Sequence, residues 1–307
     1  MLIINFIIRF LILSPVCIIM IQNVFNIYSP DIPNYYSDYV NHNNSYEFGY
    51  EILVSLSRDI FGLSFEEFWI SYMILQAGLM AIIFNRYILL LVAMPILLSL
   101  SSFYFGIQIR YSLFSLLFIL SIKYLPSYTY ISTFVFHTGS IFSIFGRLMY
   151  DLYSFKFKSL FEFNFISICF ILIASGLSVI TSNIASMVLS EFVRFEYYQE
   201  EIMGNKSIIS TLYIYISLLL ILYGNKHFEG ESKKIIETGI VVLYLVVVTV
   251  SMISLSGRLF LVYLVISPII AHAFILSKKT RTIGFTLLLM SVVKLISEST
   301  YLFEAIL

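Results

Sequence analysis

About ten stretches of this chain are long, apolar and nearly free of charge, and no other feature limits its fold so strongly. They run over roughly residues 4–26, 67–85, 87–105, 110–125, 128–146, 161–182, 208–224, 235–254, 258–277 and 282–303. An α-helix rises 1.5 Å per residue, so about 20 apolar residues cross the roughly 30 Å hydrocarbon core of a bilayer. Each stretch is near that length except 110–125, which is marginal. Backbone polar groups are not left open in hydrocarbon, and the sequence lacks the short alternating strands of an outer-membrane barrel. The expectation is an all-α, polytopic transmembrane helical bundle of about ten spans.

Bulk composition agrees. The 307 residues are 60% hydrophobic and 12% charged, whereas soluble domains carry about 25% charge. Eighteen basic and eighteen acidic residues give no net charge, and no basic stripe marks a nucleic-acid partner. Cys17 and Cys169 both sit in apolar runs and read as small buried hydrophobes rather than a disulfide or metal site. The first run, Leu2 to Ile27, carries only Arg9 and no clean small-residue cleavage site, so it reads as a retained helix. No internal repeat is visible. A single domain over 1–307 is expected, with polar loops near 28–66 and 190–207.

The first loop contains SPDIPNYYSDYVNHNNSYEFGYEILVSLSRD. Its front half is rich in Tyr, Asn and turn formers. From Tyr50 to Phe61, Ile52, Leu53, Leu56 and Ile60 recur at helical spacing, which suits a short helix in the membrane interface. The second, EFVRFEYYQEEIMGNK from Glu191 to Lys206, reads as a solvated connector with interfacial aromatics.

Orientation follows from the basic residues. Arg147, Lys156, Lys158, Lys226, Lys233, Lys234, Lys278, Lys279 and Arg281 fall in three loops that share one side if the spans alternate, and the positive-inside rule makes that side cytoplasmic. Strict alternation then carries 28–66 inside as well. That loop holds Arg58 as its basic residue among Asp31, Asp38, Glu47, Glu51, Asp59 and Glu66, which favours the outside. One break in parity reconciles the two. FHTGSIFSIFGRLMYDLY, with His137, Thr138, Gly139, Gly146 and Arg147, is the place for a broken or re-entrant span.

Ionisable groups in hydrocarbon need a partner, an edge or a cavity, and Arg86, Arg110, His137, Arg147, Arg258 and His272 all raise that question. Arg86 and Lys123, each between two spans, can snorkel. Arg110 follows Gly106 and Gln108 at the opening of an apolar helix, where a guanidinium serves either as an interface anchor or as a two-bond clamp for a phosphate. His137 lies near the middle of its run and can relay a proton or simply satisfy the core. Glu47 precedes Phe48, Gly49 and Tyr50, and a carboxylate beside aromatics suits either a sugar contact with base chemistry or a solvated loop. No phosphate-binding loop, HExxH, dinucleotide fingerprint, Cys/His metal spacing or channel filter is present, so those classes fall away.

Four segments together carry a likeness. YEFGYEILVSL from Tyr46, FGIQIRYSLFSLLF from Phe105, FVFHTGSIF from Phe134 and SGRLFLVYLVISPIIAHAF from Ser256 resemble, in order, the EpsG family of bacterial polysaccharide-polymerising membrane proteins, which overlaps the Wzy O-antigen polymerases. Glu47 and Gly49 look like the family's glutamate and glycine in the first external loop, Arg110 like its helix-opening arginine, His137 and Ser140 like its histidine and following small residue, and Arg258 like its late arginine. The family often has Arg-Gln at the helix opening; here Tyr111 follows Arg110 and Gln108 precedes it.

The resemblance implies an enzyme of the bacterial inner membrane that joins oligosaccharide repeat units carried on undecaprenyl diphosphate at the periplasmic side, making O-antigen or a related surface polysaccharide. On this reading Glu47, as base or sugar contact, Arg110 and His137 are the candidate catalytic residues, and Arg147, Arg258, Gln108 and Tyr50 the candidate substrate contacts. The partners implied are the lipid-linked oligosaccharide, membrane lipid and a chain-length regulator protein, with no cofactor and no metal. A lipid-linked-sugar flippase is the alternative, although alternating access favours paired halves and none is seen; a non-enzymatic envelope scaffold is the third reading.

Overall fold

The computed structural model describes residues 2–22, 31–126, 128–153, 158–190 and 208–306. Among the described residues every regular element is helical. The loop expected near 190–207 lies outside the described residues from 191 onward, as do residues 28–30 of the first loop.

The expected count of about ten spans is corrected. Among the described residues four helices are long and apolar enough to cross a membrane, Phe65–Ile83, Tyr87–Phe105, Ile208–Asn225 and Leu255–Leu276, and the pair Ile3–Ile12 and Ser14–Gln22, bent by 54°, makes a fifth if it counts as one. Hydropathy along a sequence does not register where the backbone breaks. The run 110–125 forms a 16-residue helix. The run 128–146 is no single helix but 3-10 turns over Thr129–Phe136 and Thr138–Ser140 followed by a helix from Ile141. The run 161–182 opens in a 3-10 turn, and its described apolar helix is only Phe165–Ile180. The run 235–254 belongs to Gly230–Val248, whose first turns carry Glu231, Lys233, Lys234 and Glu237. The run 282–303 lies in Arg281–Ile306, whose side chains are described only to Ser297. The chain is nonetheless a multi-pass membrane protein, with outward-facing Ile3, Phe165, Leu172 and Ile208 all more than half exposed.

The chain divides into two compact units, Met1–Ile141 with Leu288–Leu307, and Phe142–Leu287. The first contains α1 (Leu2–Ile12), α2 (Ser14–Gln22), α3 (Asp31–Asn41), α4 (Phe48–Ser55), α5 (Phe65–Ile83), α6 (Tyr87–Leu100) and α7 (Ile109–Tyr124). Both α4 and α6 end in π turns, Leu56–Ile60 and Ser101–Phe105. Around α5 pack α1, α2, α3 and α7.

Both ends of α5 are satisfied. At its start Ser64 Oγ accepts from the Glu67 N–H (3.3 Å) while Glu67 Oε2 accepts from the Ser64 N–H (2.7 Å), a reciprocal capping box. At its far end Lys123 Nζ donates to Ile83 O and Arg9 Nη1 to Asn85 O, so two cations meet the carbonyl end of the helix. Lys123 is therefore tied to a carbonyl where snorkelling alone was expected.

In its middle, α5 holds the break between α6 and α7. Gln76, fully buried, donates from Nε2 to Phe105 O (3.1 Å) and accepts from Ser112 Oγ (2.8 Å), and Tyr72 Oη donates to Ile109 O (3.2 Å). A π turn followed by a bend leaves carbonyls that a continuous helix would have used, and buried carbonyls need donors.

The second unit contains α8 (Ile141–Tyr153, starting at the last residue of the first unit), α9 (Phe165–Ser190), α10 (Ile208–Asn225), α11 (Gly230–Val248), α12 (Ile253–Leu276) and the first part of α13 (Arg281–Ile306). Here α11 is central, packing on α9, α10 and α12. Gly239 permits a close approach of α11 to α12, since a Cβ there would stand 2.5 Å from Ile270 Cδ1.

Replacing Gln76 by Leu removes the donor to Phe105 O and leaves that carbonyl buried. The expected loss is about 1–3 kcal/mol, measured as a lowered thermal midpoint of the purified protein in detergent; an unchanged midpoint would mean that Phe105 O does not depend on Gln76.

Candidate functional site

Three separate pieces of the first unit bring charge to one place. The first is the loop into α4. His42 (φ 55°) and Asn44 (φ 49°) adopt left-handed conformations that turn the chain back, and Glu47 then takes an extended conformation as the N-cap of α4. The Glu47 carbonyl accepts the N–H groups of Tyr50 (2.9 Å) and Glu51 (3.1 Å), which fixes the backbone of the residue whose side chain matters.

The second piece is the opening of α7. Its N-cap, Gln108, makes no side-chain cap bond, and Arg110 is the second helical residue. The carbonyl of Ile109, which Tyr72 holds, anchors this turn, so the direction of Arg110 is set from beneath by α5. The third piece is the end of the 3-10 stretch Thr129–Phe136, where His137 returns to extended backbone.

Glu47 joins the other two. Its Oε2 accepts from Arg110 Nη1, and its Oε1 lies 3.2 Å from His137 Nδ1. Arg110 Nε donates to Tyr35 Oη (3.1 Å), and its guanidinium carbon stands 4.1 Å from the centre of the Tyr46 ring and 5.6 Å from that of Tyr35. A cation on an aromatic face is attracted to the ring's negative quadrupole. The edge of the Tyr111 ring meets His137, with centroids 4.9 Å apart at 84°. The side chains of Arg110, Glu47 and His137 are 20%, 12% and 14% exposed, so the cluster is sheltered but within reach of a ligand.

Electrostatics define the protonation choices. Burial raises the phenols of Tyr35 and Tyr46, partly opposed by Arg110, so both rings stay neutral and Glu47 is the anion bonded to the guanidinium. His137 Nδ1 faces two groups with opposite demands: the Glu47 carboxylate accepts a proton-bearing Nδ1, and the Gly139 N–H, also at 3.2 Å, donates to a bare one. A single ring nitrogen satisfies one of them at a time.

Beneath lies an aromatic floor. Tyr35 packs against Tyr46, Tyr50 and Trp69 with centroids 5.1–5.6 Å apart, and Tyr50 also meets Phe68 and Tyr72. Tyr50, expected to contact substrate, is only 1% exposed and belongs to this floor, with its hydroxyl unpartnered among the described residues. Gln108 is adjacent to Arg110 but turns a buried Oε1 inward without a bond among the described residues.

Arg147 and Arg258 belong to the second unit. Arg147, 3% exposed, donates to Thr238 Oγ1 (2.8 Å), Lys234 O (3.2 Å) and Asp151 Oδ1 (2.6 Å), which ties α8 to α11. Arg258 is half-buried near the start of α12. Among the described residues no three His, Cys, Asp or Glu side chains converge as metal ligands.

Tyr35, Tyr46, Tyr72 and Gln76 were not singled out as site residues by sequence. Gln76 carried a signal, an amide inside the apolar run 67–85, and so did Tyr46, next to Glu47. Tyr35 gave none beyond its place in a Tyr-rich loop.

The sequence model of the EpsG family matches residues 5–303. No curated protein matches the chain, and no solved structure does.

Gly49 sets how closely α4 approaches the segment that leads to His137: a Cβ there would stand 2.9 Å from Val135 O and 2.9 Å from the Phe136 ring. Gly49→Ala therefore forces α4 off that segment. The expected destabilisation is about 1–3 kcal/mol by overpacking, read as a fall in thermal midpoint; a midpoint equal to wild type would mean the contact yields freely.

Proposed function

The chain belongs to the EpsG family, and on that premise we propose that it is an oligosaccharide repeat-unit polymerase, a glycosyltransferase that extends O-antigen or a related surface polysaccharide. Membership links the chain at family level to polymerases of this kind. The substrate proposed is an oligosaccharide on undecaprenyl diphosphate in the bacterial inner membrane, with a chain-length regulator protein as partner. The observation that supports this reading most is the Glu47 carboxylate bonded to Arg110 and facing His137.

Each group has a role in the reaction. The hydroxyl of the acceptor sugar attacks the anomeric carbon of the donor chain, forming a new C–O bond while the bond from that carbon to the diphosphate oxygen breaks. The leaving diphosphate takes the bonding pair. His137 acts as general base: its imidazole receives the acceptor's proton, and the Glu47 carboxylate beside Nδ1 stabilises the imidazolium that results. Arg110 meets the negative charge that develops on the diphosphate. Its Nη2 makes no bond among the described residues, and the N-terminal end of α7 adds a favourable field for an anion. Tyr46 and Tyr35 hold the guanidinium in place. Arg147 and Arg258 are proposed as further substrate contacts, and Arg147 is also bonded to Thr238 and Asp151 within its own unit.

The loop carrying Glu47 is proposed to face the periplasm. A cysteine at exposed Asn43 should react with a membrane-impermeant maleimide in intact cells; labelling only after permeabilisation would reverse the orientation.

The chemistry is tested by initial rates of chain extension with purified protein and lipid-linked repeat units. Arg110→Lys keeps the charge but loses the planar fork, and one charged hydrogen bond is worth roughly 1.5–3 kcal/mol, so the rate should fall about ten- to hundredfold. His137→Ala should lower it by about 10²–10⁴. Wild-type rates for both variants at equal abundance would remove this reading.

A further inference from the structure

Asp38 and Glu51 are two carboxyls that the reaction above does not use, and both bind the loop that carries the charged cluster. Asp38 Oδ1 accepts the N–H of Ser45 (2.9 Å), and Glu51 Oε1 accepts the N–H of Tyr46 (2.9 Å). The two side chains come from opposite sides of the loop, Asp38 from α3 and Glu51 from α4. Each has a second oxygen, Asp38 Oδ2 and Glu51 Oε2, that is buried with no donor, and Asp38 itself is 3% exposed. The side chains lie within hydrogen-bonding reach of each other. Two ionised carboxylates would repel at that separation and leave both orphan oxygens unsatisfied. One proton between them removes both penalties.

We propose that Asp38 and Glu51 share one proton and together form a latch that holds residues 45–47, and with them Tyr46 and Glu47, against Arg110. The latch is a positioning device, since neither carboxyl touches the cluster except through the loop backbone. It rests on the geometry of the loop and not on the reaction assigned to the site. Arg110 needs Tyr46 beneath its plane and Glu47 at its edge, and both are residues whose backbone the pair controls.

Surrounding groups agree with a retained proton. Burial raises the Glu51 carboxyl; the Tyr46 N–H opposes it, the charge and hydrogen bond of Asp38 raise it further, and Arg58 lowers it. Arg58, in the π turn after α4, is engaged with the Tyr39 carbonyl and with Asp59, and His42 faces Asp59. Asp31 in α3, Tyr35, Arg110 and the neutral Tyr46 phenol are further titratable or charged groups on this side. A carboxyl raised in the folded state stabilises that state fully below its ordinary value and loses the contribution as pH rises through the raised one. The latch is therefore closed below the raised value of the Glu51 carboxyl and opens as pH rises through it.

The test is infrared spectroscopy of the full chain in lipid nanodiscs at neutral pH, with Asp38→Asn and Glu51→Gln. The wild type should show a protonated-carboxyl C=O band, and each variant should lose one carboxyl's worth of its intensity. An amide in either position supplies the missing N–H permanently, so both variants should fold with the loop closed. Trp69, the chain's single tryptophan, packs against Tyr35 with ring centroids 5.6 Å apart and reports the loop through its emission. Raising the pH should shift that emission in wild type and leave it constant in both variants. A wild type without the band, or a band of full intensity in both variants, overturns the proposal. None of these readouts involves substrate, so their failure is separable from failure of the polymerase reading, which rests on rates of chain extension.

Discussion

A carboxylate that accepts from a guanidinium on one side and faces an imidazole on the other can occupy a membrane protein only if its charge is matched and its position enforced. Glu47 meets the first condition through Arg110 and His137. The second condition governs much of the first unit. The left-handed residues His42 and Asn44, the flush contact at Gly49, the buried amide of Gln76 and the aromatic rings below Arg110 all fix where three chain segments meet. Removing one partner of such a cluster leaves the others as partly buried charge, which is why its supports are built from hydrogen-bonded backbone rather than from side-chain packing alone.

This arrangement also explains why the helices near the cluster are not regular. A continuous helix through 101–124 would have left no turn at which Arg110 could sit near a helix start, and a continuous helix through 128–146 would have buried His137 midway along a cylinder. Broken backbone is tolerated within a membrane protein where other parts of the chain supply the missing bonds. Here Gln76 and Tyr72 supply them for the first break. The apolar character that drives these segments out of water thus coexists with geometry that apolar helices alone would not adopt.

That coexistence marks what could be read from the sequence. The helical class followed from long apolar runs and the backbone's need for internal bonds. Glu47, Arg110 and His137 stood out because a charged residue in an apolar setting requires a reason, and the structure brings these three together. The number of membrane-length helices was not legible, because hydropathy at 128–146 is the same whether the backbone runs as a helix or as 3-10 turns around His137. Tyr50, three residues after Glu47, was read as a substrate contact; a helix turns successive side chains about 100° apart, and the Tyr50 ring lies in the floor. Arg147 raised the question of a partner in the sequence, and its partners Thr238 and Lys234 are some ninety positions away in the chain.

The π turn at Ser101–Phe105 has an evolutionary consequence. Such a turn is a helix that has gained one residue without gaining length, and it is kept where the gain matters. Each residue of an α-helix advances the side-chain direction by about 100°, so one added residue changes the heading at which the chain leaves α6 for the turn before α7. Relatives in which this stretch is regular should be one residue shorter between their equivalents of Gln76 and Arg110. An alignment that ignores the gap would match Arg110 to a neighbour pointing elsewhere, and the arginine would look variable when only the spacing before it had changed.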